Sequence, residues 1–150
     1  MHTAANLLDA NFRAPSLSYS MLCRLTSILT RNHQDLLMMF RMMVFNVAIE
    51  NQDDHGKNFS FLMDDLGEWR LSPAYDLMHS IVDANEHTTS VAGKGKDITK
   101  EDILKVADDA GIGRSDANAI IDRIFEVASN SSYYADQVGL KDIYPQKHPN

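Results

Sequence analysis

The residues best suited to chemistry are Asp53, Asp54, His55, Gly56, Lys57 and Asn58, the stretch DDHGKN, which directly follows the most hydrophobic segment of the chain. Phosphoryl transfer needs a carboxylate that accepts or orients the proton of the attacking hydroxyl, and oxygen ligands that hold Mg²⁺ against a triphosphate. In protein kinases an Asp supplies the first group and an Asn five positions later ligates metal. A second Asp, past a short hairpin, completes the metal site. The tight loop lets Asp and Asn face one small volume, and the hairpin brings the second Asp back to it. This sequence carries the same parts in that order: Asp53, Asn58, a candidate hairpin, and Asp76 in PAYDL. The spacing assigns Asp53 as catalytic base and Asn58 and Asp76 as Mg²⁺ ligands, with ATP as the phosphoryl donor. Lys57 and Asn58 are the candidate nucleotide contacts. A kinase catalytic-loop lysine sits two positions after the Asp and Lys57 sits four after, so a solvated lysine is an equal alternative.

The elements that would position these residues are mostly helical. Thr3 to Ala10 reads as a short helix, broken by Pro15 and Ser16. Ser18 can cap a second helix, whose Met21, Leu22, Leu25, Ile28 and Leu29 fall on one face. Asp35 can cap a third, DLLMMFRMMVFNVAIE, which is apolar almost all round and so belongs at the centre of the fold. Its methionines at 38, 39, 42 and 43 read as core filler. FSFLM at 59–63 and WRL at 69–71 flank the turn-rich DDLGE and predict a β-hairpin. Residues 74–84 read as a short helix or irregular segment, and 85–98 as a loop. Thr99 with Asp102 has the capping-box spacing, and Gly111 is a left-handed stop. Ser115 opens a further helix with Ala117, Ile120, Ile121, Ile124, Phe125 and Ala128 on one face. The tail from Asn130 to Asn150, with Gly139, Pro145 and Pro149, is expected to fray toward its end. The fold class is mainly α with one small β-hairpin, over residues 1–150 as one lobe.

Blander readings compete at several residues. Asp54 follows Asp53 on the other side of the backbone and is read as a turn residue without a catalytic role. His55 is read as a partly buried structural histidine, with orientation of the loop by a hydrogen bond as the functional alternative. Neither a zinc motif nor the calcium-loop template fits DDHGKN. Asp64, Asp65 and Glu68 read as a solvated turn, and Trp69 as a core cover before an adenine platform. Residues 93–96, GKGK, lack the spacing of a phosphate-cradling loop.

Composition narrows the function classes. The chain has 150 residues, 44% hydrophobic and 23% charged, enough for one packed domain. The net charge of −7 disfavours a general nucleic-acid binder, and no direct nucleic-acid binding is expected. The single cysteine, Cys23, excludes an internal disulfide or a CxxC site and is expected to be buried. Leu36 to Ile49 is too short and too interrupted to span a bilayer, and the N-terminus lacks signal-peptide character. A cytoplasmic protein without membrane association is the expectation.

FNVAIENQDDHGKNFSFL followed by WRLSPAYDL resembles the C-terminal region of the HipA family. The residues that carry the resemblance are Asn51, Asp53, His55, Lys57, Asn58, Phe59 and Ser60, then Leu71, Pro73, Tyr75 and Asp76. The family comprises bacterial serine/threonine kinases that act as toxins of toxin–antitoxin modules. The resemblance implies a C-terminal kinase-like lobe, a protein hydroxyl as phosphoryl acceptor, and Asp53, Asn58 and Asp76 as catalytic and metal positions. It also implies a helix-turn-helix antitoxin as partner. This chain lacks the phosphate-covering loop and nucleotide lysine of the family's N-terminal lobe, so the chain alone is expected to bind nucleotide poorly and be inactive, with a separate N-terminal lobe as a further partner. Two other readings stay open. One is a non-catalytic module that binds an antitoxin or a partner lobe, and the other, ranked below it, is a metal-dependent phosphohydrolase.

Overall fold

A computed structural model describes residues 1–8 and 17–139. Residues 9, 10, 15 and 16, where the first helix was expected to continue and then break, lie outside the described residues, as does the tail from 140 onward. The chain runs β1 (His2–Thr3), α1 (Ala4–Leu7), α2 (Tyr19–Thr30), α3 (His33–Ala48), a 3₁₀ turn (Gly56–Asn58), β2 (Ser60–Met63), β3 (Trp69–Leu71), α4 (Lys100–Ala110), α5 (Arg114–Ser129) and α6 (Ser131–Gln137). The mainly helical class and the hairpin are as expected.

α3 is the central element. Met39, Phe40, Met43 and Val44 are fully buried, and the helix packs against both α2 and α5. Met38 departs from the core-filler expectation: it is 45% exposed, because it lies on the one side of α3 left uncovered. The cap of α3 is Asn32, not Asp35. The Asn32 side chain accepts from the amides of Gln34 (2.8 Å) and Asp35 (3.3 Å). Asp35, three positions inside, instead accepts from Arg70 Nε (3.0 Å) and the Leu71 amide (3.1 Å), and so ties the hairpin to the start of α3.

β2 and β3 pair antiparallel, with Phe61 opposite Leu71 and Met63 opposite Trp69. β1 adds a third strand, His2 opposite Phe61. Two residues are too few for an alternating pattern, so sequence could not show it. Phe61 is fully buried and Trp69 packs partly buried on the core. The turn residues Asp64, Asp65 and Glu68 are exposed, and the Asp64 carboxylate accepts from the amides of Leu66 and Glu68 (2.9 Å each).

α2 is capped by Ser18, whose hydroxyl accepts from the Met21 amide (3.2 Å). Cys23 is buried on it, and burial pushes its thiol up to about 12. α4 has the Thr99–Asp102 capping box and ends at Gly111 in the left-handed conformation, φ 72°. α5 begins at Arg114 rather than Ser115, with Gly113 as a cap without a side-chain bond. Ala117, Ile120 and Ile121 are buried on it as expected. Residues 74–84 form no helix, and 85–98 is a loop with isolated bridges. Residues 131–137 form a short helix at the start of the tail, and the end of the tail, where fraying is expected, lies outside the described residues. No described helix is long and apolar enough to cross a membrane.

Candidate active site

α3 delivers the chain to the site. Past its end, Asn51, Gln52, Asp53 and Asp54 run in an irregular segment before the 3₁₀ turn that ends at Asn58. Asp53 and Asp54 point to opposite sides of this backbone. The Asp53 side chain is 51% exposed, whereas Asp54 is fully buried.

Asn58 is nearly buried, and its Nδ2 donates to the Asp53 carbonyl (2.9 Å). With the amide nitrogen so engaged, Oδ1 is the atom of Asn58 that could ligate a cation. Asp76 is exposed and has a left-handed backbone, φ 55°. That conformation is unusual for a residue with a Cβ, though short polar side chains tolerate it. It is held by Asn51, whose Nδ2 donates to the Asp76 carbonyl (3.0 Å). Its neighbour Tyr75 donates from the hydroxyl to the Lys57 carbonyl (2.6 Å). Since that uses the Tyr75 proton, Ser60 Oγ is the donor in its 2.5 Å bond to the same hydroxyl. The backbone of residues 75–76 is thereby fastened to both ends of the 51–60 segment. These anchors account for four motif positions, Asn51, Asn58, Ser60 and Tyr75, as a set of struts.

The Lys57 side chain is exposed and contributes its backbone carbonyl to the Tyr75 bond. His55 Nε2 lies 3.8 Å from Asp53 Oδ1, too long for a hydrogen bond, and its Nδ1 is buried without a partner among the described residues. The orienting hydrogen bond considered for His55 is therefore not formed among the described residues.

Asp54 departs most from expectation. Its Oδ2 accepts from the Tyr19 hydroxyl (2.7 Å) and His87 Nδ1 (2.9 Å), and its Oδ1 from the Thr89 amide (3.0 Å). Its backbone carbonyl accepts from the Thr89 hydroxyl. The turn residue is thus a buried carboxylate with three donors. Burial, and then the Asp54 charge, push the Tyr19 phenol well above its usual range, so it stays a donor. Gln52 clamps the same stretch. Its side chain bonds Val82 and Asn85, and its carbonyl accepts from the amide (3.1 Å) and hydroxyl (2.9 Å) of Thr88. The signal that could have found Asp54 is the alternation of an extended backbone: if Asp53 faces solvent, the next side chain faces the core.

Among the described residues, no group of three or more His, Cys, Asp or Glu side chains gathers as a metal site. A groove of about 540 Å³ between the α2–α3 turn and the hairpin is lined by Ile28, Arg31, Glu68, Trp69 and Arg70 among others. It includes Asn32, the cap of α3, and so lies at the far end of that helix from Asp53.

Residues 1–131 match the HipA-like C-terminal domain family, and the chain belongs to that family. Over 94 residues it is 31% identical to Y4mE of Sinorhizobium fredii, a protein provisionally named a kinase, covering 59% of this chain and 22% of that one. The fold superposes on a chain of the solved Shewanella oneidensis MR-1 toxin–antitoxin complex of HipA, HipB and operator DNA, with a TM-score of 0.70 at 20% identity. That likeness covers 90% of this chain and 33% of the other. The chain thus corresponds to a minor part of the length of both proteins.

Proposed function

We propose that this chain is the catalytic lobe of a HipA-like serine/threonine kinase, transferring the γ-phosphoryl group of ATP to a protein hydroxyl. The observation that carries the reading is the pair of anchors that fasten Asn58 to the Asp53 backbone and Asp76 to Asn51. Asp53, exposed and next to the loop, would take the proton of the attacking hydroxyl as its oxygen bonds to the γ-phosphorus and the bond to the ADP oxygen breaks. Asn58 Oδ1 and the Asp76 carboxylate are hard oxygen donors of the kind Mg²⁺ takes, and one or two protein oxygens suffice when phosphates supply others. A bound Mg²⁺ would offset phosphate charge. Lys57, exposed beside Asn58, is a candidate phosphate contact.

The chain's share of its relatives' length leaves room for a lobe that closes over the nucleotide, and activity is proposed to need that lobe. In the test, labelled ATP and Mg²⁺ are supplied with a protein acceptor, with and without the N-terminal part of a relative such as Y4mE. Transfer that requires the added part and is lost in Asp53→Ala is the expected result. Transfer retained in Asp53→Ala, or absent with the added part present, overturns the reading. A helix-turn-helix antitoxin is the proposed regulatory partner, and the cytoplasm the proposed location. A second reading, a non-catalytic module for an antitoxin or a partner lobe, is favoured by one observation. Leu77 (37%), Met78 (57%) and Ile81 (63%) expose apolar surface just past Asp76.

A further inference from the structure

Beneath the candidate site runs a chain of hydrogen bonds with a single direction. Asn51 Nδ2 donates to Asn46 Oδ1 (3.1 Å), Asn46 Nδ2 donates to the Tyr19 hydroxyl (3.0 Å), and Tyr19 donates to Asp54 Oδ2 (2.7 Å). All four side chains are buried. The end of the chain is a carboxylate, which can only accept. That sets the orientation of every group before it. Tyr19 must give its proton to Asp54, so it must receive from Asn46. Asn46 must then present its oxygen to Asn51. The second Asn51 proton is free to donate elsewhere, and it goes to the Asp76 carbonyl. The other arm of Asp54 is covalent: the next residue back is Asp53. Thr89 holds the Asp54 carboxylate and carbonyl together, which fixes the backbone there and with it the outward aim of Asp53.

The geometry points to Asp54 as a positioning residue that, through Tyr19, Asn46 and Asn51, locks the candidate base Asp53 and the candidate metal ligand Asp76 into one fixed relation. This inference rests on the proposed kinase reading for its purpose, but the chain itself can be tested without catalysis. Its links are 19, 46, 51 and 54, drawn from α2, α3 and the segment beyond, and its far end is the Asp76 carbonyl. Bonds aligned head to tail in a low-dielectric interior strengthen one another, so a cut at one link is expected to be felt at the far end.

The test uses two variants that touch neither Asp53 nor Asp76. Tyr19→Phe removes one hydroxyl and keeps the ring that packs edge-on against Phe59 at 5.7 Å. Asn46→Leu cuts the next link with a side chain of similar size. Mn²⁺ alone is the probe, with free ion counted by electron paramagnetic resonance, and backbone hydrogen exchange is followed in parallel. The expected result is Mn²⁺ binding weakened about tenfold in each variant, the effect usual for groups that orient metal ligands. The double variant should be no weaker than the stronger single, because a chain already cut cannot be cut again. Exchange should quicken at Gln52 and Ser80, while the α4 and α5 amides keep their protection. Wild-type Mn²⁺ affinity in both single variants overturns the positioning role and leaves the proposed site standing. Exchange that quickens uniformly, α4 and α5 included, overturns it as well, since that is general loosening. Absence of Mn²⁺ binding in the wild-type chain overturns the positioning role, since the four side chains then hold no ion site by themselves, while the proposed function is decided separately by the labelled-ATP transfer.

Discussion

The α4–α5 hairpin and the segment from Asn51 to Ser90 are built on opposite plans. α4 carries its instructions within itself: Thr99 and Asp102 cap its start, Gly111 ends it, and Ile103, Leu104, Val106 and Ala107 define its buried side. The site segment has little regular structure between β3 and α4, and its shape comes from side chains bonding distant backbone. Gln52 holds residues 82, 85 and 88, Asp54 holds 19, 87 and 89, and Asn51 holds 46 and 76. Local rules suffice where a helix only has to form. The segment that carries Asp53 and Asp76 uses long-range polar bonds instead, costliest to break where both groups are buried, as at Tyr19 and Asp54.

The contrast breaks most severely at Asp54. Asp54→Ala leaves Tyr19, His87 and Thr89 as buried donors without their acceptor, and unfolding in denaturant at neutral pH should show a loss on the order of 3 kcal/mol or more. A loss below ~1 kcal/mol would place the buried network on the same footing as an ordinary surface contact. In the helical hairpin the expected costs are smaller and confined. Thr99→Ala removes the acceptor of the Asp102 amide and should cost about 1 kcal/mol. Gly111→Ala meets no atom within 4 Å, so its cost, again about 1 kcal/mol, is the strain of a positive φ alone. In both, exchange should quicken in α4 while Gln52 and Thr89 keep wild-type protection.

The smallest effect is electrostatic. Burial alone would raise the Asp102 carboxyl, but hydrogen bonds from Lys94 (2.8 Å) and Thr99 outweigh it and bring it down to about 2. A carboxyl held below its unfolded value of about 3.9 contributes stability that is present above that pH and lost as pH falls through the folded value. Acid titration between about pH 4 and pH 2 should therefore weaken α4 in the wild type. Asp102→Asn should show less of this dependence when the two are compared by circular dichroism.

What could be read from sequence follows the same division. The caps at Ser18, Thr99 and Gly111, the buried face of α5 and the hairpin strands all rest on neighbours a few positions away, and they were legible. Asp35 has the residue type of a cap, yet Asn32 caps α3, because Arg70 and Leu71 engage Asp35 from far along the chain. Asp53 and Asp54 are the same residue type side by side; alternation along the backbone says that they face opposite ways, but not which of the two faces the core. The difference is made by Tyr19, 35 positions earlier, and by His87 and Thr89, which follow the hairpin. The motif was legible as residue types and spacing, but the use of Asn51 and Tyr75 as struts depends on a backbone path that spacing does not encode.

The most direct measurement is a map of amide resonances broadened by millimolar Mn²⁺ in the isolated chain. The expected map has the Asp53–Asn58 loop and Asp76 broadened together at the same ion concentration. Both effects should vanish in Asp76→Asn, a change whose amide still tolerates the left-handed backbone there. Broadening centred on the exposed acidic turn at Asp64 and Asp65, or of one candidate segment without the other, would show that these residues do not form one cation site.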